Sequence, residues 1–182
     1  MMHGGSLLIF GASGPTGCWL VRHARARGYR VSAMLRAGRD AEELQNLGVS
    51  VLRGDALNEQ DCRTAIETAR PQAVVSLLGG RNAQGQRVDA AGNIHVIEAL
   101  LGWKQCRRLL LVTSYGCGDQ FAALGSTAQR VLGEALRAKS LAEECLIQSD
   151  LDWTIVRPGG LSNEPACDRY CLNPEPEDEV IM

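Results

Sequence analysis

Residues 7–17 read Leu7-Leu8-Ile9-Phe10-Gly11-Ala12-Ser13-Gly14-Pro15-Thr16-Gly17. A solid apolar run stops at Gly11, two further glycines follow at three-residue spacing, and a helix-like pattern then begins. Buried strand, tight glycine turn and helix N-terminus, in that order, build a site for the pyrophosphate of a dinucleotide. The spacing is G-x-x-G-x-x-G rather than the commoner G-x-G-x-x-G, so the flanking strand and helix carry the reading more than the glycines do. Gly11 permits the sharp turn. Gly14 lets backbone N–H groups approach phosphates with no Cβ in the way, and Gly17 lets the helix lie close against the sheet. Pro15 suits the first helical turn, where its missing N–H costs nothing, and Ser13 and Thr16 offer hydroxyls to a phosphate.

Working outward, the same strand–helix alternation repeats. Val31, Ala33 and Leu35 read as a second strand, Val49–Leu52 as a third, Ala73–Leu78 as a fourth, Leu109–Thr113 as a fifth and Trp153–Val156 as a sixth. Asp40 with Glu43 resembles a capping box for a helix that stops at Gly48. Asn58 is placed to cap a helix that runs to about Ala69, before Pro71. The longest helix is expected over 127–148, with Val131, Ala135, Ala138, Ala142 and Cys145 on the face toward the sheet. Strands this apolar imply a parallel sheet covered on both faces, hence a doubly wound Rossmann-like α/β domain of about six strands. The core is expected over 6–161 as one domain, followed by an irregular tail whose last part, Asn173–Met182, is rich in proline and acid.

Composition narrows the class. The chain has 182 residues, enough for one full core, and a net charge of -2, which gives no electrostatic footprint for nucleic acid. No apolar run reaches transmembrane length, and Met1–Gly5 is too short and polar for a signal peptide. Seven dispersed cysteines, an odd number, suggest reduced thiols in a cytoplasmic protein. Cys167 and Cys171 lack a histidine or a second cysteine pair, so no metal site is expected.

In a doubly wound sheet the ligand lies at the carboxyl ends of the strands, which can be read in turn. Arg36, with Arg39 three residues on, follows the second strand, where an NAD site would place a carboxylate on the ribose 2′-hydroxyl; guanidiniums suit the 2′-phosphate of NADP(H) instead. Exposed loop arginines are the alternative. Asp55, next to Ala56, either faces an adenine amino group or caps its own turn. Leu78, Gly79 and Gly80 leave room for the ribose and nicotinamide side. Thr113, Ser114 and Tyr115 bring hydroxyls near the nicotinamide, and Pro158 and Gly159 line the same ring.

Taken together, FGASGPTG, Arg36, GDAL, LLGG, GNIHVIEA, LVTS and KSLAEECLIQSDLDWTIVRPGGL resemble the atypical branch of the short-chain dehydrogenase/reductase superfamily. The likeness is to its NAD(P)H-binding, NmrA-like and biliverdin-reductase-B-like members, from about residue 7 to 161. It implies that Lys139 stands at the position of the superfamily's active-site lysine, which holds the nicotinamide ribose, and that Ser114 orients a substrate. Four residues before that lysine the superfamily carries a tyrosine acid, and here the position is Ala135. Ordinary alcohol dehydrogenase chemistry is therefore not implied. Hydride transfer to a flavin, quinone or tetrapyrrole-like acceptor remains open, and so does a non-catalytic NADP(H)-binding regulatory role. Relatives usually continue for several tens of residues past the RPGGL-type segment, which leaves three alternatives: a minimal substrate side, a partner that completes it, or a shortened chain. An incomplete sheet edge would also favour a homodimer. A small-molecule substrate is expected, with neither nucleic acid nor membrane as partner.

Overall fold

The computed structural model describes residues 4–161, and within them the alternation is realised strand by strand. Its elements in chain order are β1 (Ser6–Phe10), α1 (Pro15–Ala26), β2 (Arg30–Leu35), α2 (Glu42–Asn46), β3 (Ser50–Arg53), α3 (Glu59–Ala69), β4 (Ala73–Ser76), α4 (Ala91–Gly102), β5 (Arg108–Val112), α5 (Ser126–Ile147) and β6 (Asp152–Val156), with a 3₁₀ turn over Gly118–Ala123. All strands are parallel and lie in the order β3-β2-β1-β4-β5-β6. The order reverses between β1 and β4, the switch point where such sheets bind ligands.

Each face has its own core. Leu8, Phe10, Val74, Leu109 and Leu111 point toward α3, α4 and α5, while Ile9, Val31, Ala33 and Val75 point toward α1 and α2. Alternation along a strand sends neighbours to opposite faces, so the unbroken apolar runs read in the sequence are the mark of a sheet covered twice. β6 departs from that pattern. Asp152, Trp153, Thr154 and Val156 are exposed along this edge strand, and only Ile155 packs against the core beside α5.

Helix ends follow local chemistry. Asn58 caps α3, its side-chain oxygen accepting the Gln60 N–H at 3.0 Å. Asn58→Ala should destabilise the protein by about 1 kcal/mol, read as a lower urea midpoint at unchanged slope. The expected capping box at α2 does not form: Ala41 is the cap residue, Asp40 accepts the Glu42 N–H, and Glu43 pairs with Arg22 on α1. The tertiary ion partner takes the carboxylate that would have closed the box.

The face of α5 also differs from expectation. Ala142 is buried and Cys145 packs against the core as expected, but Gly133, Leu136, Glu143 and Leu146 are buried beside them, whereas Val131 is 71% exposed. Periodicity gives a stripe of apolar residues but not how far along the helix the sheet extends. Nor does hydropathy place a glutamate inward. Glu143 is buried because Arg157, after β6, meets it with two nitrogens, Nε at 3.1 Å and Nη2 at 2.8 Å. The Thr113 hydroxyl donates to the same carboxylate at 2.5 Å.

The described cysteines (18, 62, 106, 117 and 145) are free thiols; burial pushes Cys62 up to about 12, so it stays protonated. Cys167, Cys171 and the tail after Gly160-Leu161 lie outside the described residues. Among the described residues there is no metal-ligating cluster, and no helix is long and apolar enough to cross a membrane.

Candidate cofactor site

The turn after β1 closes tightly because Gly11 adopts φ +82°, and a Cβ there would stand 2.8 Å from the Leu77 carbonyl oxygen. Neither the angle nor the space admits another residue cheaply. Gly17 is buried where α1 crosses this turn, and a Cβ would come within 2.7 Å of the Ala12 Cα. Gly14 is different: a Cβ would meet only the Gly11 oxygen, at 3.5 Å. No side chain caps the start of α1, so the amides of its first turn are left for an anion arriving in front of Gly14. Pro15 and Thr16 are exposed in that same turn, as is Ser13 just before it.

A cleft of about 180 Å³ opens at this point and runs along the carboxyl edge of β1, β2 and β4. Gly11, Ser13 and Gly14 form one wall, Arg36, Asp55 and Ala56 the second, and Leu78 and Gly79 the third. The cleft widens into an outer space of about 800 Å³ rimmed by Arg36, Arg39, Arg53 and Arg81. With Arg39, which also lines the cleft, nine of the residues proposed from sequence thus meet in one place. Gly54 of the GDAL motif joins them, as do Leu77, Arg81 and Val88, which were not read as site residues. Arg81 could have been found, since it directly follows Gly79-Gly80 at the same sheet edge; Val88 could not, since it arrives from the loop before α4.

The arginines divide the work. Arg53 donates to the backbone carbonyls of Arg36 and Arg39, which stiffens the loop after β2. The Arg36 and Arg39 guanidiniums make no ion pair among the described residues. Arg81 and Arg87 flank a short hairpin and both bind Glu134 on α5, Arg81 at 2.6 Å and Arg87 at 3.2 Å. Those two cations, Arg87 foremost, hold the Glu134 carboxyl below its usual range.

The Asp55 side chain accepts the Leu57 N–H at 3.0 Å, while its own N–H donates to Asp61 on α3. It therefore caps its own turn while its residue edges the cleft. His95 on α4 holds the Ala56 carbonyl through Nδ1 at 2.8 Å.

At the other end, Lys139 is not an exposed helix lysine. It is 16% exposed, with Nζ 3.2 Å from the buried carboxylate of Asp89 and directly beneath Gly79. Ser114 is half-buried at the end of β5, and the Tyr115 N–H donates to the Pro158 carbonyl at 2.7 Å, which joins the ends of β5 and β6. Gly159 is half-buried beside it, and Gly80, at φ +82°, is exposed. Thr113 is turned away from this end, because its hydroxyl is bound to Glu143. Ala135 lies one turn before Lys139 and is half-buried, with no acid in its place.

A glycine cradle open to a ligand and an uncapped helix start fit the pyrophosphate of a dinucleotide, and comparison with known proteins supports NAD(P)H binding. The NAD(P)H-binding family profile matches residues 11–180. The chain belongs to this NAD(P)H-binding family. Its sheet, cleft and sequence place it among the atypical short-chain dehydrogenase/reductases with a Rossmann-like fold, a group of NAD(P)-dependent oxidoreductases. It is similar to the anaerobillin reductase ChuY of Escherichia coli O157:H7, with 34% identity and a TM-score of 0.75 over 85% of this chain and 73% of that one. It is 28% identical to an uncharacterised chloroplastic protein of Arabidopsis thaliana, over 93% of this chain and 64% of the relative. It is also 34% identical to a 3-diazoavenalumate denitrifying reductase of a Streptomyces species, over 51% of this chain and 33% of that protein. The chain thus spans from one third to just under two thirds of the length of these two curated relatives.

Proposed function

We propose that this protein is an NADPH-dependent reductase that delivers hydride to a small conjugated or aromatic acceptor such as a flavin, a quinone or a tetrapyrrole-like molecule. The observation that carries the reading is the cleft at the β1/β4 switch point, walled by Gly11 and Gly14 and rimmed by Arg36 and Arg39, which make no ion pair among the described residues. The likeness to an anaerobillin reductase and to a second reductase supports a conjugated acceptor. The bound nicotinamide supplies the hydride, and the protein supplies position and charge.

Gly11, Ser13, Gly14, Pro15, Thr16 and Gly17 form the phosphate cradle. Arg36 takes the 2′-phosphate, with Arg39 beside it. Asp55 and Ala56 border the adenine, and Leu78, Gly79 and Gly80 follow the cofactor toward the nicotinamide. Lys139 holds the ribose there, and Ser114, Pro158 and Gly159 border the acceptor. With Ala135 in place of an acid, the proton that completes reduction comes from water. Acceptors that stabilise the added electron pair by conjugation tolerate this, whereas a simple ketone needs a positioned acid.

Incubating NADPH with flavin, quinone and biliverdin acceptors tests the proposal: turnover above the cofactor's own oxidation is expected with at least one. Cofactor demonstrably bound with no turnover by any would favour a second reading, an NADP(H)-binding regulator, which the half-buried Ala135 supports. Cofactor choice is tested separately. Arg36→Glu should weaken NADPH binding by about 10–100-fold while leaving NADH unchanged, by calorimetric titration, because a charge-assisted phosphate contact is worth about 1.5–3 kcal/mol. Equal affinities of the unaltered protein for both nucleotides would remove Arg36 from the account.

A further inference from the structure

We propose that Asp89 is a positioning residue: its carboxylate fixes Lys139 and the Gly79–Gly80 turn relative to each other, and so sets the geometry of the nicotinamide end of the cleft. This rests on the cofactor reading above. Asp89 precedes α4 and is 1% exposed. Its two oxygens serve three pieces of the molecule. Oδ1 faces Lys139 Nζ of α5 at 3.2 Å, while Oδ2 accepts the Gly80 N–H at 3.0 Å and Arg87 Nη1 of the hairpin at 3.0 Å. A carboxylate this deeply buried is tolerated only with its partners in place, so the need for pairing holds all three where they are.

The packing leaves no slack. A Cβ on Gly79 would lie 2.9 Å from Lys139 Nζ and 3.0 Å from Asp89 Oδ1. The backbone that lines the cleft therefore rests directly on the ion pair, and neither can shift without the other. Asn93, one turn into α4, donates to the backbone carbonyls of Asp89 at 2.7 Å and Leu78 at 3.3 Å. That contact fixes the main chain and leaves the Asp89 side chain to its charged partners. Asp89 is enclosed by these partners at 1% exposure, whereas Lys139 keeps 16% of its side chain open, so Asp89 acts through Lys139 and the turn.

Asp89→Asn keeps the shape and an oxygen for Gly80 but removes the charge. It is compared with Lys139→Met and the double variant by calorimetric titration with NADPH, by the fluorescence of bound NADPH, and by hydrogen exchange of residues 77–82 in cofactor-free protein. Each single change should weaken NADPH binding about ten-fold and shift the emission, and the double change should be no worse than the weaker single, since coupled groups are not additive. Exchange at 77–82 should rise in each variant with protection elsewhere unchanged. A lower melting temperature with affinity and emission unaltered, or strictly additive losses, would overturn the proposal. Should Asp89→Asn fail to fold, Lys139→Met decides, and unchanged exchange at 77–82 overturns it. If the unaltered protein binds no NADPH, the cofactor reading fails, while the exchange measurement still reports whether Asp89 couples the lysine to the turn.

Discussion

Glu143→Ala should lower stability by about 3–5 kcal/mol, the cost of leaving a buried charge without its partner. Glu143 is 1% exposed and accepts from Arg157 through both of its oxygens and from Thr113. It therefore anchors the ends of β5 and β6 to α5 at one point. Its removal strands the Thr113 hydroxyl and leaves Arg157 only the exposed Asp119. In a domain of this size the melting temperature should fall by on the order of 10 °C. Asp119→Ala, at the solvent side of the same arginine, should do little, because an exposed pair is well screened. Replacing Thr113, Glu143 and Arg157 together by Val, Leu and Leu should recover much of the loss, since apolar packing can replace a buried ion network. Urea unfolding of the set checks this, and a Glu143→Ala cost under about 1 kcal/mol would mean that water reaches the carboxylate.

Gly14→Ala and Gly17→Ala should have opposite consequences although both alter the same turn. The Gly14 backbone, at φ -80° and ψ 164°, suits alanine, and the added Cβ has only the Gly11 oxygen near it, at 3.5 Å. That variant should fold with a stability change below about 1 kcal/mol. The methyl group would stand where phosphates approach the first-turn amides, so NADPH affinity should fall by about 10–100-fold, the loss of one or two charge-assisted hydrogen bonds. At Gly17 the Cβ meets backbone atoms of Ala12 at 2.7 Å, which cannot rotate aside. Gly17→Ala should therefore destabilise by about 1–3 kcal/mol, as overpacked cores do. Melting curves with NADPH titrations on both variants separate the two roles. A Gly14→Ala protein with native affinity would show that phosphates do not enter there.

The legible parts of this protein are those built by neighbours in sequence. The β1 run, the glycine turn and the start of α1 are contiguous, so Gly11, Gly14 and Gly17 could be assigned distinct tasks before any fold was known. Asn58 capped its helix for the same reason, since it reaches an N–H two residues away. Asp40 and Glu43 show where this logic stops: the pattern for a capping box was present, but Arg22 from another helix took the glutamate. Thr113 shows it again, its hydroxyl directed to Glu143, thirty residues on, rather than to the cleft.

The alternation of apolar runs with helical periods, together with one glycine-rich turn, was enough to determine a parallel doubly wound sheet and the edge at which a dinucleotide belongs. Those signals are local, and backbone geometry and burial dictate them within a few residues. Only the folded chain decided which charges would be buried as pairs. Asp89 with Lys139 and Glu143 with Arg157 are joined across separate elements. A charge can leave water only where a partner is brought to it, and that meeting is a property of the packing rather than of any stretch of sequence.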